Sequence, residues 1–401
     1  MRGVFLAAGL AAAGPAWACG QSTHVWIGLH ARDHLPAGPL RDLLTDEALR
    51  DVVINGAMFP DGGYSPIVRD GYGEIAHWEP FQSDLAAVIR ERHGAALAGD
   101  EARALAAFLF GLAAHGMADQ VYDGVYLTRS QVYEPEAWAV GSVDTASDVA
   151  MVASVGAQPL VDPEAPWETL QEVFAAGGHE VSVDTMVAGQ TSLKLAVAWV
   201  GQTGEDPATA AEHVEAFPWA NGHLLDTSVP GAPVCIGKAV AAYWQKVWGR
   251  LQGDYELDRD LIVYGWPEDG GVGHPLDSSS IESTVSLVLS TAIRSASLEG
   301  RVVVTDSAGA EHPVTADLYY GDRTNVLNVW PEADWVDGET YTVTLKAGLE
   351  TEDGQVVGAD QAVMFTAGAV VDEEACGCAQ GPRGAGGAAA LWLLWARRRR
   401  R

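Results

Sequence analysis

Apolar residues recur at three-and-four spacing in four long stretches of the chain: DLAAVIRERH (84–93), EARALAAFLFGLAAHG (101–116), SLKLAVAWVGQ (192–202) and CIGKAVAAYWQKVWGRL (235–251). This spacing lines one face of an α-helix, so the region from about 37 to 257 is predicted to be helical, with Gly-, Pro- and Asp-rich stretches as its loops. After about residue 266 the period shortens towards two, in TVSLVLS, GRVVVTD, TADLYYG, VLNVWPE, TYTVTLKAG and AVMFTAG, with turn sequences such as DSAGAE and VDGE between them. Short alternating runs separated by such turns predict a β-sandwich. The fold class expected is therefore multidomain, an all-α domain (19–265) followed by an all-β sandwich (266–369).

The run LAAFLFGLAAHGMADQ (105–120) is apolar enough for a buried helix, yet it carries His115 and Asp119 at i and i+4, on one face. Desolvating an unpaired carboxylate costs several kcal/mol, so a partner must compensate it. Three more short clusters supply imidazole and carboxylate groups: CGQSTHVWIG with His24, GAMFPDGGY with Asp61, and EIAHWEPF with His77. Zn²⁺ takes nitrogen and carboxylate ligands at about 2.0–2.2 Å, which makes a metal the natural compensation. Taken singly, Asp61 also reads as a turn residue and His77 as a helix cap. His30, His34, His93, His179, His213, His223, His274 and His312 fall outside these clusters and are read as surface or loop residues.

Composition changes the picture at the two ends. The start, MRGVFLAAGLAAAGPAWACG, has a positive charge, an apolar stretch and a small-x-small step at Ala16–Ala18, which reads as a signal peptide (1–18) with Cys19 as the mature first residue. A lipoprotein reading of Cys19 competes, although Ala16 stands where a leucine is usual. The segment 370–401 joins Cys376-Gly-Cys378, a Gly/Ala-rich linker, an apolar stretch too short to span a bilayer and five terminal arginines. The net charge of −30 repels nucleic acid and anionic lipid and suits a secreted protein or one that binds divalent cations. Four cysteines in an oxidising compartment leave a Cys19–Cys235 disulfide open.

Three resemblances follow from these motifs. The tail resembles MYXO-CTERM sorting signals, which implies recognition by a dedicated sorting protease and a secreted or cell-surface destination; the strand region resembles bacterial Ig-like modules. STHVWIG, MFPDGGY, HWEPF and FLFGLAAHGMAD, in this order and at these intervals, resemble the zinc-dependent phospholipase C family, including the amino-terminal catalytic region of glycosylphosphatidylinositol-specific phospholipase D. Fungal zinc single-strand nucleases share that all-helical fold. The resemblance implies that Asp61, His77, His115 and Asp119 hold one zinc, and that the Cys19 amine and carbonyl, His24 and a bridging Asp119 hold a second. Its third site falls on Asp123, Asp144 and Asp148, where the family's histidines are missing, leaving an all-oxygen set suited to Ca²⁺ or Mg²⁺ or an empty site.

The function expected from the resemblance is hydrolysis of phospholipids or lipid-anchored head groups, with metal-activated water and Asp61 as ligand and base. The alternative is a non-catalytic surface or adhesion protein that keeps a structural metal-bound helical domain. A nuclease ranks behind both, and nucleic acid is not expected as a partner; the oligomeric state is left open. The sandwich, from about residue 270 to 368, is expected to fold without the helical domain and to contain no catalytic residue.

Overall fold

A computed structural model describes residues 20–368, apart from 69, 70 and 140. The segments expected to be a signal peptide and a sorting tail, and Cys19 with its amine and any disulfide it makes, therefore lie outside the described residues.

The helical region is built round Asp100–Val121, which is apolar on all sides and is enclosed accordingly. With its continuation to Tyr133 this helix is long and apolar enough to cross a membrane, but 94% of its most apolar window is buried within the protein. Against it lies Arg50–Gly62, at a separation that only glycines permit. A Cβ on Gly56 would sit 2.3 Å from the Phe108 carbonyl oxygen, and one on Gly111 would sit 2.2 Å from that of Val53. Pro233–Gln252 packs alongside, with the Trp244 indole donating to the Phe110 carbonyl at 2.7 Å. The first helix, Gln21–Ala31, is capped from a distance in sequence: Asp148 accepts from the Ser22 and Thr23 amides at 3.1 and 2.7 Å.

The sandwich has two sheets, in strand orders β1-β3-β7-β6 and β2-β9-β8-β4-β5. The strands are β1 (Ile262–Trp266), β2 (Gly271–His274), β3 (Val285–Leu289), β4 (Val302–Thr305), β5 (Glu311–His312), β6 (Val314–Leu318), β7 (Val326–Pro331), β8 (Thr340–Leu345) and β9 (Gln361–Ala367). β2 runs parallel to β9, and the remaining pairings are antiparallel. Leu287, Val329, Trp335, Val343 and Phe365 lie in the core between the sheets.

The sandwich is not the separate body that the alternating pattern suggests. Every residue of β3 is buried. Its Leu287 faces the sandwich core, whereas Val288, with Trp266 and Val326, belongs to the apolar cluster of the helical region. Polar contacts cross the same boundary: Arg129 pairs with Glu282 at 3.0 Å, Asn328 donates to the Gly124 carbonyl at 2.9 Å, and Arg250 donates to the Ser290 carbonyl at 2.9 Å. The physical reason is legible in VSLVL, a run apolar on both faces, which is the mark of a strand covered on both sides.

Candidate metal centre

Three elements bring four of these residues together. His115 and Asp119 occupy successive turns of Asp100–Val121, Asp61 lies near the end of Arg50–Gly62, and His77 follows the short helix Gly73–Ala76. Their side chains are buried, and one ligand atom from each lies within 4.8 Å of the others. His77 Nδ1 is 2.6 Å from the Gly73 carbonyl oxygen, and His115 Nδ1 is 2.6 Å from that of Ala57. A carbonyl only accepts, so both Nδ1 atoms carry protons and both Nε2 atoms turn towards the cluster.

The two Nε2 atoms face each other at 3.0 Å. His77 Nε2 is 3.2 Å from both Asp61 Oδ1 and Asp119 Oδ2, and His115 Nε2 is 3.4 Å from Asp119 Oδ2 and 3.8 Å from Asp61 Oδ1. Two ligands about 2.0–2.1 Å from one tetrahedral ion stand about 3.3–3.4 Å apart. The observed spacings bracket that value, so the donor set fits zinc in both chemistry and size.

Electrostatics point the same way. Burial opposes charge on His77, but its hydrogen bonds to Asp119 and Asp61 prevail and push its pKa up to about 10. Burial also lowers the basicity of His115, and the charge of His24 adds to this. Asp119 resists its own burial because His24 and His115 hold its carboxyl well below the usual carboxylate range. The centre therefore draws a cation, a proton when no metal is bound.

Asp119 divides its two oxygens. Oδ2 faces His77 and His115, whereas Oδ1 lies 2.9 Å from His24 Nε2. The His24 ring stacks on His115 at 3.7 Å, and neither of its nitrogens has a well-aligned hydrogen-bond partner. This is the disposition a bridging carboxylate requires. The structure brings His24, Asp61, His77, His115 and Asp119 together, while Cys19 lies outside the described residues.

The other three acidic residues are placed differently. Asp148 is turned to the amides of the first helix, which it caps. Asp123 accepts from the Tyr319 hydroxyl at 2.9 Å, and burial beside Asp119 pushes its pKa up to about 8. Burial, followed by the charges of Asp123 and Asp119, raises the pKa of Asp144 well above the usual range.

Asp61, His77 and Asp119 line a cavity of about 150 Å³. Its walls include Tyr64 and Trp78 from the helical region and Tyr319 and Tyr320 from the turn after β6, so the sandwich helps to line the cavity. Tyr320 stacks on Trp78 with 6.2 Å between centroids and adopts φ 65°, the left-handed region. The sequence reading missed these tyrosines and also Gln21, which donates from its side-chain amide to Asp61 Oδ2. For Gln21 there was a signal, its place three residues before His24 on a helix. LYYG shows two aromatics breaking the strand alternation but not where they point. His274, read as a surface or loop residue, is instead buried, with Nε2 2.9 Å from the Ser283 carbonyl oxygen.

No curated protein matches the chain. Among solved structures it is similar to the N-terminal part of the bacterial S-layer protein SbsC, at 10% identity over 82% of this chain and 79% of that one, with a TM-score of 0.22. It is also similar to SbsC domains 1–6, at 13% identity over 82% of this chain and 46% of that one, again with a TM-score of 0.22. At these scores the likeness assigns neither fold nor function. Residues 262–367 match the family model described as a bacterial Ig-like domain, and this part of the chain is accordingly an Ig-like module.

Proposed function

We propose that the chain is a secreted or surface-exposed metal-dependent phosphodiesterase whose helical region holds zinc at Asp61, His77, His115 and Asp119, with His24 drawing on the second oxygen of Asp119. The observation that carries this reading is the convergence of four buried ligand atoms at zinc spacing, three of whose residues, Asp61, His77 and Asp119, line an accessible cleft. A metal needed only for stability would not require that access.

When bound, zinc supplies a Lewis acid and lowers the pKa of a coordinated water towards about 7. The protein's own part is orientation. The Gly73 and Ala57 carbonyls fix the tautomers of His77 and His115, and Gln21 holds Asp61 Oδ2 so that Oδ1 faces the cluster. Asp61 is also placed to take a proton from an attacking water. Tyr64, Trp78, Tyr319 and Tyr320 give the cleft aromatic walls, which suit an ester with an apolar group beside its phosphate. Phospholipids and lipid-anchored head groups are the substrate class proposed.

A second reading, a non-catalytic surface protein with a structural metal, draws support from two observations. The matching family model covers the Ig-like module rather than the helical region. Asp123 is engaged by Tyr319 rather than by histidine partners. The two readings separate in one assay: zinc-loaded protein is offered a soluble phosphodiester, a panel of phospholipid vesicles and single-stranded nucleic acid, beside Asp119→Asn. Metal-dependent hydrolysis of a phosphodiester or phospholipid, lost in D119N, supports the enzyme. Equal, negligible turnover by both proteins, with zinc bound to the wild type, supports the structural reading.

A further inference from the structure

The first helix carries a second pair of imidazoles that the buried centre does not use. His30 lies in Gln21–Ala31 and His34 in the 3₁₀ turn Arg32–His34 that continues it. His30 is six positions after His24, roughly 120° away round the helix axis, so it looks out of a different face from the one that meets Asp119.

We propose that His30 and His34 form a second metal site at the surface, which takes a divalent transition ion of the zinc class through two imidazole nitrogens and completes its shell with water. The two Nε2 atoms lie 3.2 Å apart, the same edge that separates ligands in the buried centre. Their rings are nearly perpendicular, at 89°, so both nitrogens can aim at one point without the rings colliding. Histidines at i and i+4 on one helical face are a spacing that zinc sites use.

Three features hold the pair in this arrangement. The Trp26 indole stacks on His30 at 4.6 Å and 21°, fixing the plane of its ring. Asp33 Oδ2 lies 3.9 Å from His30 Nδ1, on the side away from His34, too far for a hydrogen bond but near enough for its charge to favour a proton on that nitrogen. Gly237, on the neighbouring helix, leaves space for both rings: a Cβ there would stand 2.9 Å from His30 Cδ2 and 3.3 Å from His34 Cδ2. Lys238, the next residue, is paired with Glu268 at 2.8 Å. Partial burial and the nearness of His34 hold the basicity of His30 below its ordinary value, which keeps the neutral form a ligand must have.

A proton shared between the two nitrogens would produce the same distance, so the test counts metal. The full chain is equilibrated with Zn²⁺, freed of excess, and its bound zinc measured in wild type, His34→Ala, His115→Ala and the double variant, with circular dichroism to show that each is folded. His34 is exposed, and its removal leaves the core untouched. The site predicts one equivalent fewer in H34A than in wild type, and one fewer in the double variant than in H115A. Equal zinc in wild type and H34A overturns it. A wild type holding one equivalent that H34A lacks entirely would uphold this site and refute the buried centre, so the two claims fail separately.

Discussion

At the residue scale, the two buried imidazoles of His77 and His115 each give one nitrogen to a backbone carbonyl and present the other to a point shared with two carboxylates. His115→Ala removes a ligand of the Asp61 cluster alone, whereas Asp119→Ala also removes the oxygen facing His24. Metal analysis should therefore find a greater zinc loss in D119A than in H115A. Both losses of thermal stability should disappear once wild type is stripped by a chelator, because the missing stability is metal binding. If the residues are merely core, both variants will destabilise the stripped and loaded forms equally. A gentler change, Gln21→Ala, frees Asp61 Oδ2 and should weaken zinc binding about 10- to 100-fold without abolishing it, as a competition titration would read.

The same residues set a sign for pH. Without metal, His77 holds a proton up to about pH 10, and zinc must expel it. Binding at pH 7 should thus release at least one proton, visible as a dependence of the calorimetric heat on the buffer's ionisation enthalpy, and affinity should fall as pH is lowered. A heat independent of buffer would contradict the assignment. HGMAD made His115 and Asp119 legible as a pair, because i and i+4 share a helix face. The departure of Asp148 to a helix cap was not legible, since its partners, Ser22 and Thr23, are distant in sequence.

At the scale of elements, the centre depends on how closely two helices approach. Arg50–Gly62 carries Asp61 and Asp100–Val121 carries His115 and Asp119, and they meet through Gly56 and Gly111. Gly111→Ala would drive a methyl into the Val53 carbonyl, which neither backbone can easily yield. Destabilisation of about 1–3 kcal/mol is expected from such overpacking, with weaker zinc binding, read by chemical denaturation with and without metal. An unchanged midpoint would show that the helices can part freely. The three-and-four spacing announced the long helices, and alternation announced β3, β4, β6, β7, β8 and β9. It missed β2, whose GVGH has too few apolar residues to show a period, and β5, which is only a two-residue strand. β1 begins at Ile262, ahead of the expected start at 266, because a five-residue strand running straight on from helix offers no break in composition.

For the whole molecule, the Ig-like module and the helical region share an apolar cluster and close one cleft between them. Trp266, Val288 and Val326 from the sandwich side are buried in the helical core, and Tyr319 reaches Asp123. A chain cut after residue 261 would expose those contacts. It is expected to lose cooperative unfolding, whereas the intact chain should melt in a single transition. Two well-separated transitions in the intact chain, with the first 261 residues folding alone, would refute the shared core. Alternation within each strand cannot reveal this union, since it reports which face is apolar and not what covers it. The central claim, that these elements assemble a zinc centre, is tested most directly by a crystal structure of the zinc-loaded protein with anomalous diffraction recorded on both sides of the zinc absorption edge. A peak about 2.0–2.2 Å from His77 Nε2, His115 Nε2 and oxygens of Asp61 and Asp119 is the predicted result. The same fold with its four side chains in place and no anomalous density among them would contradict it.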